Sequence, residues 1–135
     1  MAITEQMANN ILRYNFGLVA YNPPTTLYIG LSTTTPTAAG VVTEPTGNGY
    51  QRVAVTNAAS SFTSPVNRRT SNTNPIEFPE ATPGGWGNIS SVFVASAPTG
   101  QGNTILCYAN LPAVRQVLAN TIVLFSPGGI TFELT

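Results

Sequence analysis

Proline constrains this chain more than any other residue. Eleven prolines are spread from Pro23 to Pro127. Proline has no backbone N–H and disfavours helical geometry in the residue before it. After Asn22-Pro23-Pro24 the sequence reads as short apolar runs between turn signals, at roughly ten-residue spacing. Thr25 to Ser32 alternates, with Leu27, Ile29 and Leu31 on one face and Tyr28, Gly30 and Ser32 on the other. Tyr50 to Thr56 follows the tight-turn pair Asn48-Gly49, with Val53 and Val55 alternating against Arg52 and Ala54. Phe62 marks a further short strand, and Ile76-Glu77-Phe78 is fenced by Pro75 and Pro79. Trp86 to Ala95 reads as the longest strand, and Thr104 to Leu111 as the next. Thr121 to Phe125 and Ile130 to Leu134 read as a closing hairpin around Pro127-Gly128-Gly129. This predicts a mainly β chain, an antiparallel β-sandwich or barrel of seven to eight short strands.

The exception lies before the first proline pair. Thr4 to Tyr21 reads as one N-terminal α-helix, capped by Thr4 with Glu5 in its first turn. Met7, Ile11, Tyr14 and Leu18 recur at helical spacing, as do Ala8, Leu12 and Val19, and form a broad apolar face that must cover a sheet or meet a partner. No repeat and no shift in composition divides the chain, so residues 1–135 read as a single domain. The segment Thr33 to Asn48 is a long Thr-, Pro- and Gly-rich loop. Loops of that length are usually functional or ordered by a partner, the alternative being a mobile surface loop.

The ionisable inventory excludes most chemistry. There are five Arg and five Glu, with no Lys, Asp or His. Ser, Thr and Asn supply 41 of the 135 residues, so the polar surface is mostly hydroxyl and amide. Nucleophilic triads need a His, and Schiff-base chemistry and phosphate-binding Walker loops need a Lys. A lone Cys107 and five Glu form no recognisable metal motif. Glu77 and Glu80 are the nearest carboxylate pair, but Pro79 stands between them and no companion acid or base appears. We therefore expect no enzyme activity, no catalytic residues, no cofactor, no metal and no small-molecule substrate. The formal net charge is zero, which gives no footprint for nucleic acid. The longest apolar runs are far too short for a membrane span, and no secretory leader is read at the N-terminus. Low net charge favours association between protein surfaces. Candidate partner contacts are the helix face of Met7, Ile11, Tyr14 and Leu18, the long loop, and the basic pair Arg68-Arg69. Tyr50, Trp86 and Tyr108 could line a sugar-binding groove, although core packing is the commoner role of such aromatics.

Several segments, taken in order, resemble a known family. They are Thr26-Leu27-Tyr28-Ile29-Gly30-Leu31-Ser32-Thr33, Pro36-Thr37, and Glu44 with Gly49-Tyr50-Gln51-Arg52-Val53-Ala54-Val55. Ile76-Glu77-Phe78-Pro79, Ala81-Thr82, Trp86-Gly87 and Pro127-Gly128-Gly129-Ile130-Thr131 complete the series. The chain resembles small tailed-bacteriophage virion proteins labelled as tail fibre, minor tail or head decoration proteins. It departs from them after Trp86-Gly87, where members often carry a His, a Gly and a closing Asp. Here those stretches read Ser90-Ser91-Val92-Phe93 and Ala95-Ser96-Ala97. The resemblance implies a virion component made in the host cytoplasm. Two roles follow. The first is a capsid decoration (cement) protein, a homotrimer on the capsid surface that binds the major capsid protein. The alternative is a tail or fibre adaptor or tip module that recognises a host surface glycan.

Overall fold

The computed structural model describes residues 1–134. They form nine strands and one α-helix. The strands are β1 (Ala2–Ile3), β2 (Thr26–Ser32), β3 (Val53–Thr56), β4 (Arg69–Ser71), β5 (Ile76–Glu77), β6 (Gly87–Ala95), β7 (Ile105–Val117), β8 (Leu124–Phe125) and β9 (Thr131–Glu133). The helix α1 spans Glu5–Phe16. The fold is mainly β and antiparallel throughout, with the N-terminal helix expected from the sequence.

Five strands form the main sheet in the order β1-β7-β6-β2-β3. Alternation in β2 and β6 gives the sheet two different faces. Leu31 pairs with Val92 and Ile29 with Val94, so these four side chains share a face. Cys107 opposite Val94, and Val53 opposite Ile29, extend it. The two short ladders β4-β9 and β5-β8 lie outside this sheet. Together with the segments around them they bring Ile76, Phe78, Ala81, Trp86 and Ile130 against this face, which makes the main core. The other face carries Phe93, Ala95 and Ile105, and the long loop covers it by burying Val42. Gly30 sits opposite Phe93, and the Phe93 ring occupies the space that a side chain at position 30 would need.

The loop of residues 33–48 is thus held by its own chain. Thr33 N–H donates to the Thr43 carbonyl at 2.8 Å, and Thr43 N–H donates to Ser32 Oγ at 3.1 Å. Gly40 takes a φ of +83° and lies against the Gly102 backbone, whose N–H donates to the Gly40 carbonyl at 2.9 Å.

Four elements differ from the sequence reading. The helix ends at Phe16 and not at Tyr21. Gly17 N–H closes the last turn on the Arg13 carbonyl at 2.9 Å, and Leu18 has a left-handed φ of 54°. The strand predicted from Tyr50 starts at Val53, because Tyr50 and Arg52 are drawn into side-chain bonding. The longest strand is β7, which runs on through Pro112 to Val117. Proline fits there because Leu111 to Val114 bulge out between the pairs Ser91–Asn110 and Ile89–Arg115. Finally, the last two strands do not form a hairpin with each other. β8 pairs with β5, and β9 pairs with β4. Asn72, which is buried, separates them. Its Oδ1 accepts from Ile130 N–H at 2.9 Å and its Nδ2 donates to the Ser126 carbonyl at 3.0 Å.

Candidate partner-binding surface

Helix α1 is fastened at one end. Thr4 is buried and caps it, accepting from Met7 N–H at 3.4 Å. The same Oγ1 donates to the Ile105 carbonyl at 2.7 Å, and Thr4 N–H donates to the Leu106 carbonyl at 2.9 Å. Glu5 in the first turn suits the helix dipole, and its N–H donates to the Ala38 carbonyl at 3.0 Å. These bonds fix the start of the helix to β7 and to the long loop.

Toward its other end the helix leaves the body of the domain. Met7 packs partly against the main core, and Ile11 is half-buried. Tyr14 is 61% exposed, Phe16 82% and Leu18 99%. No helix residue is fully buried. Met7, Ile11 and Tyr14 therefore share a face as predicted, whereas Leu18 lies past the helix end. Leu12 and Phe16 form a second apolar row on the flank, and Val19 continues the exposed stretch. Sequence periodicity singled out the first row and also gave Leu12 and Val19, but passed over Phe16.

Arg68 and Arg69 belong to a separate ladder. Asn67 and Arg68 both have positive φ, 51° and 66°, at the tip of a two-residue turn between Val66 and Arg69. Arg69 pairs with Glu133 across the β4-β9 ladder at 3.0 Å, and both side chains are partly exposed. Such a pair contributes little to stability. Arg68 is exposed at the tip, and its carbonyl accepts from Leu134 N–H at 3.0 Å.

Among the described residues, two of the surface grooves bear on a binding role. The larger, about 580 Å³, is lined by Val42 to Thr46, by Tyr50 to Arg52, and by Pro98, Thr99 and Gln101. Its charged groups are engaged with each other. Glu44 Oε1 and Oε2 each accept from the Arg52 guanidinium at 2.9 Å, and the Tyr50 hydroxyl donates to Oε1 at 2.7 Å. Burial, with the Glu44 carboxylate adding to it, holds the Tyr50 phenol well above its ordinary pKa. The second groove, about 240 Å³, is apolar and lies beside the β7 bulge. Leu31, Ile89, Leu111, Pro112, Val117 and Phe125 line it, with Leu124 and Arg115 at the same opening.

The three aromatics considered for a sugar groove do not share one. Trp86 is buried, meets Tyr50 edge to face at 5.3 Å, and donates Nε1–H to the Asn48 carbonyl at 2.8 Å. Tyr108 lies on the opposite face of the sheet, beside the minor core. Cys107 is buried, and burial pushes its thiol up to about 12. The sequence reading missed the Glu44–Arg52 pair and the β7 bulge. An ion pair eight residues apart has no periodic signature, and Pro112 signals a strand end.

No curated protein matches the chain. A family model, described as podophage GP4 fiber I protein gp80, matches residues 2–133. That span takes in β1, α1 and both sheet faces, so the match covers the whole fold and not one motif. The chain belongs to the podophage GP4 fiber I protein gp80 family, and is a phage virion structural protein of a fibre-related family.

Proposed function

We propose that this protein is a non-catalytic architectural component of the virion fibre, mounted there by contacts with other protein. The carrying observation is the fibre family match along residues 2–133. The surface supports the same reading. Hydroxyl and amide groups dominate it, charges are few, and the apolar end of α1 is uncovered. A helix of twelve residues is marginal in water without tertiary contacts, so its exposed end is suited to burial in an assembly. The capsid-decoration role shares these physical features and differs in place on the particle. The family's name favours the fibre. Host-glycan recognition through Tyr50 and Trp86 has little support, because Trp86 is buried and the partly buried Tyr50 commits its hydroxyl to Glu44.

Immunogold labelling of intact virions tests the location, with copy number per particle measured alongside. The proposal expects label at the fibres and a copy number matching them. Label spread over the head, with hundreds of copies, would return the protein to the capsid surface.

A further inference from the structure

Asn48 is the one asparagine of the chain that a glycine follows. Asn48 and Gly49 are the centre of a tight turn, which Tyr50 N–H closes by donating to the Gly47 carbonyl at 3.0 Å. Their φ values are +53° and +80°, so both residues take the left-handed region. Both are exposed, and Gly49 N–H has no protein partner among the described residues. A glycine nitrogen has no side chain beside it to shield it, and glycine tolerates backbone rearrangement. The Asn48 side chain is nevertheless held in place. Its Nδ2 donates to the Gly85 carbonyl at 2.8 Å. It lies so close to the neighbouring backbone that a methyl group added at Gly84 would sit 2.7 Å from that nitrogen. The Asn48 carbonyl accepts from Thr82 N–H at 3.0 Å and from Trp86 Nε1–H at 2.8 Å. One residue thus joins the exposed turn to the segment that leads into the buried indole.

We propose that Asn48-Gly49 is a self-modification site that the fold holds shut. The Gly49 nitrogen attacks Asn48 Cγ and forms a new C–N bond. The Cγ–Nδ2 bond breaks, and the amide nitrogen leaves as ammonia with the proton from Gly49. Water then opens the resulting five-membered imide at either carbonyl, which gives aspartate or isoaspartate. Water is the only co-reactant. The Nδ2–Gly85 bond must be released before ammonia can leave, so the reaction marks copies in which this turn has opened. The products do not restore the turn. Aspartate sets a carboxylate oxygen where Nδ2 stood, and the Gly85 carbonyl then faces an acceptor in place of its donor. Isoaspartate also adds a methylene to the backbone of a two-residue turn. Either product adds one negative charge to a chain whose formal net charge is zero. The inference goes beyond the fibre reading and does not depend on where the protein sits on the particle.

Incubation of the full chain in mildly alkaline buffer, with and without denaturing guanidinium chloride, tests it. Anion exchange follows the added charge, and peptide mapping by mass spectrometry locates the converted residue. In denaturant, Asn48 should convert ahead of every other asparagine. In the folded protein the same conversion should run roughly tenfold or more slower, because the hydrogen bonds of the turn must first be broken. Asn48→Asp reproduces one product directly and should melt below the unmodified protein. Asn48→Gly suits the positive φ, cannot convert, and should melt above Asn48→Asp because it sets no carboxylate against Gly85. Three results would each overturn the inference: a folded protein that converts at Asn48 as fast as the denatured chain, a denatured chain in which another asparagine converts first, or an Asn48→Asp variant that melts with the unmodified protein.

Discussion

The Arg52 guanidinium clasps the Glu44 carboxylate through two bonds of 2.9 Å, from Nε to Oε1 and from Nη2 to Oε2. The side chain of Arg52 is only 1% exposed and that of Glu44 is 23% exposed. Two further guanidinium hydrogens, on Nη1 and Nη2, reach the carbonyls of Ala97 at 2.8 Å and Gly100 at 2.6 Å. The cation also stands 5.0 Å from the centre of the Phe93 ring. One side chain therefore ties the long loop to the start of β3 and to the turn after β6. A polar loop can lie across a sheet face only if something fixes it there, and this pair does so.

Removing Glu44 should cost more than removing Arg52. Glu44→Ala leaves a buried guanidinium without its counter-charge, a class of change that costs about 3–5 kcal/mol. Arg52→Met leaves a carboxylate that still has some solvent and the Tyr50 hydroxyl, and fills the site with an apolar chain. Denaturant unfolding of both variants measures the difference. Hydrogen exchange should show residues 33–48 losing protection first in Glu44→Ala. A larger loss in Arg52→Met would reverse the assignment of the carboxylate as the partner that neutralises the buried charge.

Much of the β architecture was legible because β2 and β6 are buried on both faces of the sheet and alternate cleanly. Leu27, Ile29 and Leu31 point to one core, while Gly30 and Phe93 meet on the other side. The helix start was legible because Thr4 is a capping residue followed by Glu5 in the first turn. Its end was not, because Leu18 and Val19 prolong the apolar spacing beyond Gly17, where the backbone has already turned. Strand pairing was the least readable level. Ile130 to Leu134 follows a Pro-Gly-Gly turn, which favours a local hairpin. The buried amide of Asn72, nearly sixty residues earlier, instead takes the backbone of that turn. Pairing through one distant amide leaves no pattern in the neighbouring sequence. The candidate surface was half legible: periodicity found Met7, Ile11, Tyr14 and Leu18, with Leu12 and Val19 beside them, but it passed over Phe16, which is 82% exposed.

Gly30→Ala should destabilise the sheet strongly. A methyl group there would collide with the Phe93 ring, which is itself fully buried. Overpacking of this kind typically costs about 1–3 kcal/mol. Phe93→Leu alone should also be destabilising, through a cavity. Combining Gly30→Ala with Phe93→Leu should cost less than the two losses added together, because each change relieves the other. A double-mutant cycle by chemical denaturation reads this coupling. Strict additivity would show that residue 30 does not feel the ring.

Cys107 should be inert in the native state and should make stability fall at alkaline pH. Burial raises the thiol to about 12, so the folded protein keeps its proton where an unfolded chain loses it, from about pH 9 upward. Between those values the unfolded state binds fewer protons, and stability declines as pH rises. The contribution is complete below pH 9 and is lost progressively towards pH 12. Tyr50, also raised by burial, acts in the same direction. Thiol labelling at pH 8 should proceed only at the rate of unfolding. Cys107→Ala should flatten the decline between pH 9 and 12. Rapid labelling of the folded protein would contradict the placement of this thiol in the core.

Thr4 is predicted to control the docking of α1 more than its helicity. Its hydroxyl both caps the helix and donates to the Ile105 carbonyl, which lies in the central sheet. Thr4→Val retains the shape and loses both bonds. Losing a cap costs about 1 kcal/mol, and the buried Ile105 carbonyl loses a donor, which adds roughly 1–3 kcal/mol. Thr4→Ser keeps the hydroxyl and should recover most of the loss. The two roles separate by position of hydrogen exchange. If the cap dominates, only the first turn of α1 loses protection. If the anchor dominates, β1 and the start of β7 lose it together with the helix, because Ala2–Ile3 pairs with Cys107 and Tyr108 through the segment that Thr4 holds. We expect the second pattern, since the hydrogen bond into the sheet is much shorter than the capping bond, 2.7 against 3.4 Å.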